Sequence, residues 1–395
     1  MTYNPNTLLF NSEQLSKVKR LFSKNNNNYA VETLITNANR ALEKGTYSVM
    51  YKTGITPSGN KHDYWSVAPY WWPDPSKTDG LPYIRKDGVF NPEGYTDMYD
   101  KKSFMLLKDS VIYLSLAYFL TDNDKYAAHC AKLIRTWFID SDTKMNPNMN
   151  YAQGVPGIVN GRKEGVLETE RLLYIIDAIL LISNSNYWTI EDDISFKEWL
   201  TGYVFWLESD KLALDERNAT NNHGTWYDAQ YVTYLIFLGN LSKATSYLKT
   251  VSIPRIESQI MPDGKMPEEL NRTRPFHYTL YNLEPFTLLA ILGDKVGVDL
   301  WNYQSTNGSC LKKSYDFIVP YILGKEWSYV DIDSNAPDII GDSEAPFARY
   351  LREAAKKYTE ESFSEAANII LGEEIDDHLS LIISPDVNKT PTILN

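Results

Sequence analysis

Apolar residues recur at helical spacing over eight stretches of the chain: 102–120, 126–139, 164–182, 196–207, 228–238, 281–292, 314–322 and 347–357. Short polar runs that favour helix caps separate them, such as Thr121-Asp122-Asn123-Asp124 and Asn184-Ser185-Asn186. Alternating, strand-like runs are scarce. Helices that follow one another through short links predict an all-α protein, its paired helices winding into an incomplete (α/α) toroid or barrel rather than a βαβ fold. Two segments break the rhythm. Residues 55–95 are rich in Pro, Gly and aromatic residues, and residues 144–162 are polar and punctuated by Pro and Gly. Loops this long inside a compact protein are functional or disordered. The rings at Tyr64, Trp65, Tyr70, Trp71, Trp72 and Tyr83 oppose disorder, so the first segment is expected to be an ordered aromatic lid. No internal repeat or clean linker stands out. The expectation is one catalytic domain over 1–395, with 373–395 a C-terminal extension whose sequence carries no readable role.

Composition narrows the function. The 395 residues include 28 Tyr and 10 Trp, whose flat apolar faces and polar edges suit packing against sugar rings as well as core packing. A net charge of −12 argues against a general nucleic-acid binder, which needs an excess of Lys and Arg. It leaves an anionic substrate open, because local basic groups in a cleft decide that question. Cys130 and Cys310 stand far apart, and the five histidines show no HExxH pattern, so neither a metal nor another cofactor is expected. No run reaches the roughly 20 continuous apolar residues of a membrane span. The start of the chain lacks a basic segment followed by an apolar one, so any export signal is expected to have been removed.

Two segments concentrate chemistry. Asn221 to Gln230, NNHGTWYDAQ, places Asn221, Asn222, His223 and Trp226 just ahead of an apolar helix. Asn is a favoured helix cap, which explains part of the cluster. Amides and an imidazole together can also hydrogen-bond and polarise a carboxylate. The second segment, Arg272 to Leu283, reads RTRPFHYTLYNL. If helical from Pro275, it brings Arg274, Tyr278 and Tyr281 onto one face. A guanidinium beside a phenol favours the phenolate, which suits proton abstraction. Two core tyrosines at a helix end with a solvated Arg would produce the same pattern.

These two motifs, the KHDYWSVAPYWWPDPSKTDGLPYIR loop (61–85) and KMNPNMNYAQGVPG (144–157) together resemble the alginate lyase superfamily, over about 59–292. The resemblance implies an α/α toroid with a central groove, a secreted or periplasmic setting, and β-elimination at a 1,4-linked uronate without a metal. Asn222 and His223 match the family's Asn-His pair, Arg274 its helical arginine and Tyr281 its catalytic tyrosine. The His277-Tyr278 order inverts the Tyr-His order of typical periplasmic mannuronate lyases, which leaves Tyr278 against Tyr281 open, and Arg272 against Arg274. The WWPDPSKTDGLPYIR loop looks closer to lyases acting on glucuronan or on mannuronate-rich alginate.

On this reading Asn222, His223 and Arg274 neutralise the carboxylate, with His223 alternatively the base. Tyr278 or Tyr281 takes the C5 proton, protonates the leaving O4, or does both. Trp71, Trp72 and Tyr83 would offer sugar platforms, and Lys61, His62 and Arg85 would meet carboxylates. Gln153, Arg162, Asn221, Trp226, Arg272 and His277 complete the substrate-binding candidates. Glu164, Glu168 and Glu170 are read as stabilising a helix dipole. A glycoside hydrolase would need two carboxylates, for which Asp228 with Glu268 or Glu269 are the candidates. A non-catalytic glycan-binding protein would use the same rings and basic groups without turnover.

Overall fold

The structure, a computed structural model, describes residues 5–24, 29–329, 345–372 and 378–386. Each predicted apolar stretch falls on a helix. In chain order the helices are α1 (Ser12–Phe22), α2 (Tyr29–Leu42), α3 (Lys101–Thr121), α4 (Asp124–Phe138), α5 (Glu170–Ile182), α6 (Ile190–Ser209), α7 (Lys211–Arg217) and α8 (Asn222–Phe237). There follow α9 (Leu241–Tyr247), α10 (Ile253–Gln259), α11 (Pro267–Leu270), α12 (Pro275–Val296), α13 (Leu311–Ile322), α14 (Ala345–Tyr358), α15 (Glu361–Ile370) and α16 (His378–Ile383). The chain divides into two compact units, one formed by 37–218 and the other by 1–36 with 219–395.

In the 37–218 unit, α3 packs on α4 and α5. Phe104 of α3 stacks on Trp137 of α4 with ring centroids 5.1 Å apart, both buried. Burying side chains of this size contributes about 1.5–3 kcal/mol each. By length and composition α3 could cross a membrane, but 61% of its apolar window is buried in the protein, as a core helix requires.

The irregular segments are ordered by short strands, which the scarcity of alternation had hidden. From the first, β1 (Trp65–Val67) pairs in parallel with β4 (Tyr151–Gly154) from the second. Within the aromatic segment β2 (Trp71–Trp72) pairs antiparallel with β3 (Ile84–Arg85). At the segment's entry Lys52 and Asp100 form a 2.9 Å ion pair with almost no exposure. Burying both charges is costly. The Lys52 ammonium offsets that cost with further hydrogen bonds to the carbonyls of Val49, Lys61 and Asp63.

Glu168 corrects the helix-dipole reading. It lies in a 3-10 turn, Lys163–Thr169, and is buried. Its carboxylate accepts from the Tyr64 hydroxyl at 2.8 Å and the Ser66 hydroxyl at 2.7 Å, with the Lys101 ammonium at 3.4 Å. Ser66 in turn accepts from the Gln153 backbone N–H. A buried carboxylate therefore ties β1 to β4.

In the other unit α8 packs against α12, and α14 against α15. The α8 helix is buried on nearly every side, at Asn222 and from Gly224 to Leu235. Its polar side chains find partners inside, as burial demands. Asp228, wholly buried, accepts from Arg255 Nε at 2.8 Å, the Tyr247 hydroxyl at 2.8 Å and the Ser252 hydroxyl at 3.0 Å. Gly224 makes room for that guanidinium: a Cβ there would lie 2.4 Å from an Arg255 nitrogen and 2.2 Å from the Ala219 carbonyl oxygen. Gly224→Ala is expected to lower Tm by several degrees, measured by thermal unfolding, because the added methyl displaces the Arg255 side chain or the backbone. Of the C-terminal extension, α16 docks on α1, with Gln14 Nε2 donating to the Leu381 carbonyl at 2.8 Å. Its residues 373–377 and 387–395 lie outside the described ones.

Candidate active site

The expected site residues divide between the units. In the 219–395 part they form one contiguous patch at the heads of α8 and α12. Asn221 caps α8 by accepting from the His223 N–H at 3.3 Å. Asn222, the first helical residue, is buried. Its backbone N–H and its Nδ2 donate to the two oxygens of Glu269 at 2.6 and 2.7 Å. Burial pushes the Glu269 carboxyl up to about 7, against the Asn222 hydrogen bonds and the charges of His223 and Arg272.

Pro at the first position sets the α12 start at Pro275, with Arg274 just outside it. The Arg272 guanidinium lies over the Tyr278 ring at 3.7 Å from the centroid. The residue on the Tyr278 ring is thus Arg272, while Arg274 is the residue immediately before α12. The His277 ring meets Tyr278 edge-on at 5.1 Å and stacks on Tyr281 at 5.8 Å. Tyr281 in turn lies 5.4 Å from the Trp226 ring, whose Nε1 donates to the Tyr281 carbonyl. Trp226 is fully buried and acts as a floor for this patch.

Desolvation first, then the charges of Arg274 and Arg272, hold the His277 imidazole down at about 4. It is therefore neutral at physiological pH and meets a carboxylate as a single N–H donor at most. The unfolded chain protonates this histidine near 6.5, so its contribution to stability is lost as pH falls from there towards 4. A nuclear magnetic resonance titration should find the His277 ring shifts flat between pH 5 and 8. A midpoint above 6 would contradict the packing described.

In the 37–218 unit a second group assembles. Arg162 donates from Nε to the Gln153 carbonyl at 3.0 Å and from Nη2 to Gln153 Oε1 at 3.1 Å, and its guanidinium lies 5.9 Å from the Trp71 ring. Gln153 holds a left-handed backbone (φ 48°), a conformation that non-glycine residues adopt at a cost and that gathers at functional sites. Tyr83 gives its hydroxyl to Glu93 at 2.7 Å, and burial and that carboxylate raise its pKa. Trp72 anchors through Nε1 to the Val89 carbonyl, with the Lys86 ammonium 5.0 Å from its ring.

The remaining candidates are engaged within the segment. Lys61 donates to the Lys52 carbonyl, His62 Nδ1 sits 2.6 Å from the Lys144 carbonyl, and exposed Arg85 pairs with Asp87 at 2.7 Å. An exposed pair of that kind contributes little and can yield to a ligand. Asp228 and Glu269 have no exposure, and Asp228 is held by Arg255, so neither supplies the solvent-facing carboxylate a hydrolase needs. Among the described residues no three His, Cys, Asp or Glu side chains stand close enough to hold a metal ion.

Sequence reasoning weighed Glu269 only as a hydrolytic acid and missed its hold on Asn222. The signal available was an acidic residue in a chemistry-bearing segment, and nothing local names its partner 47 residues away.

A family model described as alginate lyase matches residues 48–328. An alginate lyase crystal structure from Bacteroides ovatus matches with a TM-score of 0.88 at 35% identity, covering 97% of this chain and 100% of that one. Alginate lyase A1-III from Sphingomonas species A1 matches at 0.53 and 14% identity, covering 88% and 90%. Its histidine-to-alanine variant complexed with tetrasaccharide matches at 0.54 and 12%, covering 90% and 95%. At these low identities the last two speak for the α/α-toroid fold class alone. No curated protein sequence matches the chain. With the family model spanning more than half of its length, and more than a third of its residues shared with the Bacteroides structure, the chain belongs to the alginate lyase family and is a polysaccharide lyase.

Proposed function

We propose that this lyase cleaves alginate by β-elimination at 1,4-linked uronates, with mannuronate-rich chains preferred, leaving 4,5-unsaturated uronate ends. The family match and the Bacteroides ovatus alginate lyase support the substrate class. The observation that carries the residue assignment is the Arg272 guanidinium lying 3.7 Å over Tyr278, beside the Asn222 and His223 end of α8.

Removing the C5 proton places more negative charge on a group that is already anionic. Donors fixed in advance lower that barrier by several kcal/mol. Asn222, His223 and Arg274 are assigned to the uronate carboxylate. Arg272 favours the phenolate of Tyr278, which takes the C5 proton and returns it to the leaving O4. Tyr281, stacked on the neutral His277, lines the sugar path. In the 37–218 unit, Trp71 with Arg162 and Gln153 is proposed as a surface for an acidic sugar ring. An acidic polymer of this size is met outside the cytoplasm, so a periplasmic or secreted setting goes with this reading.

The test is a panel of polymannuronate, polyguluronate and glucuronan, following absorbance of the conjugated product. The proposal expects kcat/KM highest on polymannuronate by about tenfold or more, a difference of about 1.4 kcal/mol in transition-state binding. A higher value on glucuronan would move the assignment to a glucuronan lyase of the same mechanism. No conjugated product on any of the three would remove it.

A further inference from the structure

Glu269 lies on the four-residue helix α11, has no solvent exposure, and faces the start of α8. The first N–H groups of a helix lack partners within it and carry a partial positive charge. An anion at that place is therefore expected to cap the helix. Glu269 does more than cap. One oxygen takes the Asn222 backbone N–H at 2.6 Å, and the other takes the side-chain Nδ2 at 2.7 Å. The two bonds together fix the rotation of the amide about its own chain. The acceptor end is left over: Asn222 Oδ1 is buried with no partner among the described residues. Leaving a buried acceptor unmet is unfavourable, and turning the amide over would bring Oδ1 and the carboxylate face to face. A protein that only needed a helix cap would satisfy it with the backbone N–H and a side chain carrying no orphan. The orphan marks a place where local comfort gives way to orientation.

We propose that Glu269 is a positioning residue of the lyase site: by holding both N–H groups of Asn222 it sets the amide so that its second Nδ2 hydrogen is presented to the uronate carboxylate. The inference rests on the reading that Asn222 serves that carboxylate. Glu269 touches no substrate and acts only through Asn222. Burial raises the Glu269 carboxyl, and the Asn222 hydrogen bonds, with His223 and Arg272 nearby, oppose that shift.

The experiment is a double-mutant cycle on the full chain, with kcat and KM read from the conjugated product on polymannuronate. Glu269→Gln keeps the shape and removes one acceptor. It is expected to lower kcat by about 10²-fold, with KM within about threefold, the split expected when a transition-state donor is misdirected. Asn222→Ala is expected to lose at least as much. Adding Glu269→Gln to Asn222→Ala should then change kcat by less than about threefold, because no amide remains to be positioned.

Multiplying losses in the double variant would show that Glu269 acts independently of Asn222 and overturn the proposal. A fully active Glu269→Gln beside an inactive Asn222→Ala would overturn it while leaving the Asn222 reading intact. A fully active Asn222→Ala would remove the Asn222 reading itself, and the proposal with it. Should Glu269→Gln alone fail to fold, the swapped pair Asn222→Asp with Glu269→Gln carries the test. It re-forms a two-point contact with the polarity reversed, so Tm recovers while kcat stays about 10²-fold down. Turnover by the swapped pair at the wild-type rate would overturn the proposal.

Discussion

Tyr278→Phe is expected to reduce kcat on polymannuronate by about 10³-fold, the range over which a positioned acid-base group acts. KM should stay within about threefold, since the ring and its place under Arg272 survive the change and only the hydroxyl is removed. The same substitution at Tyr281 is expected to cost about tenfold or less, because that ring packs between His277 and Trp226 and contributes shape. Steady-state rates of the two variants, measured side by side on one polymer preparation, check the assignment. A Tyr281→Phe enzyme that is silent while Tyr278→Phe turns over would exchange the two roles. Arg272 would then be acting on a phenol that does no chemistry.

The largest stability effect is expected at Asp228. Its two oxygens hold Arg255 by Nε and the far guanidinium nitrogen, together with the Tyr247 and Ser252 hydroxyls. Burial raises the Asp228 carboxyl, and the Arg255 charge and hydrogen bonds oppose that shift. Asp228→Ala would take the carboxylate away from a mostly buried guanidinium, which would keep its bond to the Ala219 carbonyl, and from the Tyr247 and Ser252 hydroxyls. Removing one partner of such a pair costs about 3–5 kcal/mol. Denaturant or thermal unfolding should show the loss. Because Asp228 lies on α8 six residues after Asn222, activity should fall with the folded fraction. A variant as stable as the wild type would mean that Arg255 finds other acceptors on α8's flank.

Both predictions turn on side chains whose types were legible in sequence and whose partners were not. The helices that showed themselves include striped ones, such as α4 and α14, and long apolar ones, such as α3 and α12, whereas α1 and α2 carry a stripe and went unread. The α8 helix was expected from 228 and begins at Asn222. Its first turns bury amides, a threonine and a carboxylate, and buried polar residues erase the apolar period that marks a helix. Short helices such as α9 and α10 hold one or two buried apolar side chains each, and α11 holds none, too few to register. The strands of the two irregular segments run two to four residues, and β1 finds its partner in a segment about 85 residues away, so no local alternation announces them.

At the site, the sequence brought Asn222, His223, Tyr278 and Tyr281 into view through spacing and resemblance. That Arg272 lies on the Tyr278 ring needed the geometry of the turn before α12. In the sequence Glu168 reads as a helix-dipole residue and Glu269 as a candidate hydrolytic acid. Burial separates them from those roles: one ties two strands together, and the other holds an amide.

The proposed reaction turns on the fate of the C5 proton. Wild-type enzyme acting on polymannuronate should produce new reducing ends and conjugated double bonds in equal number, counted on the same samples over the course of the reaction. Reducing ends that accumulate without the double bond would mean that water, and not elimination, breaks the chain, and would contradict the assignment of Tyr278, Asn222 and His223 alike.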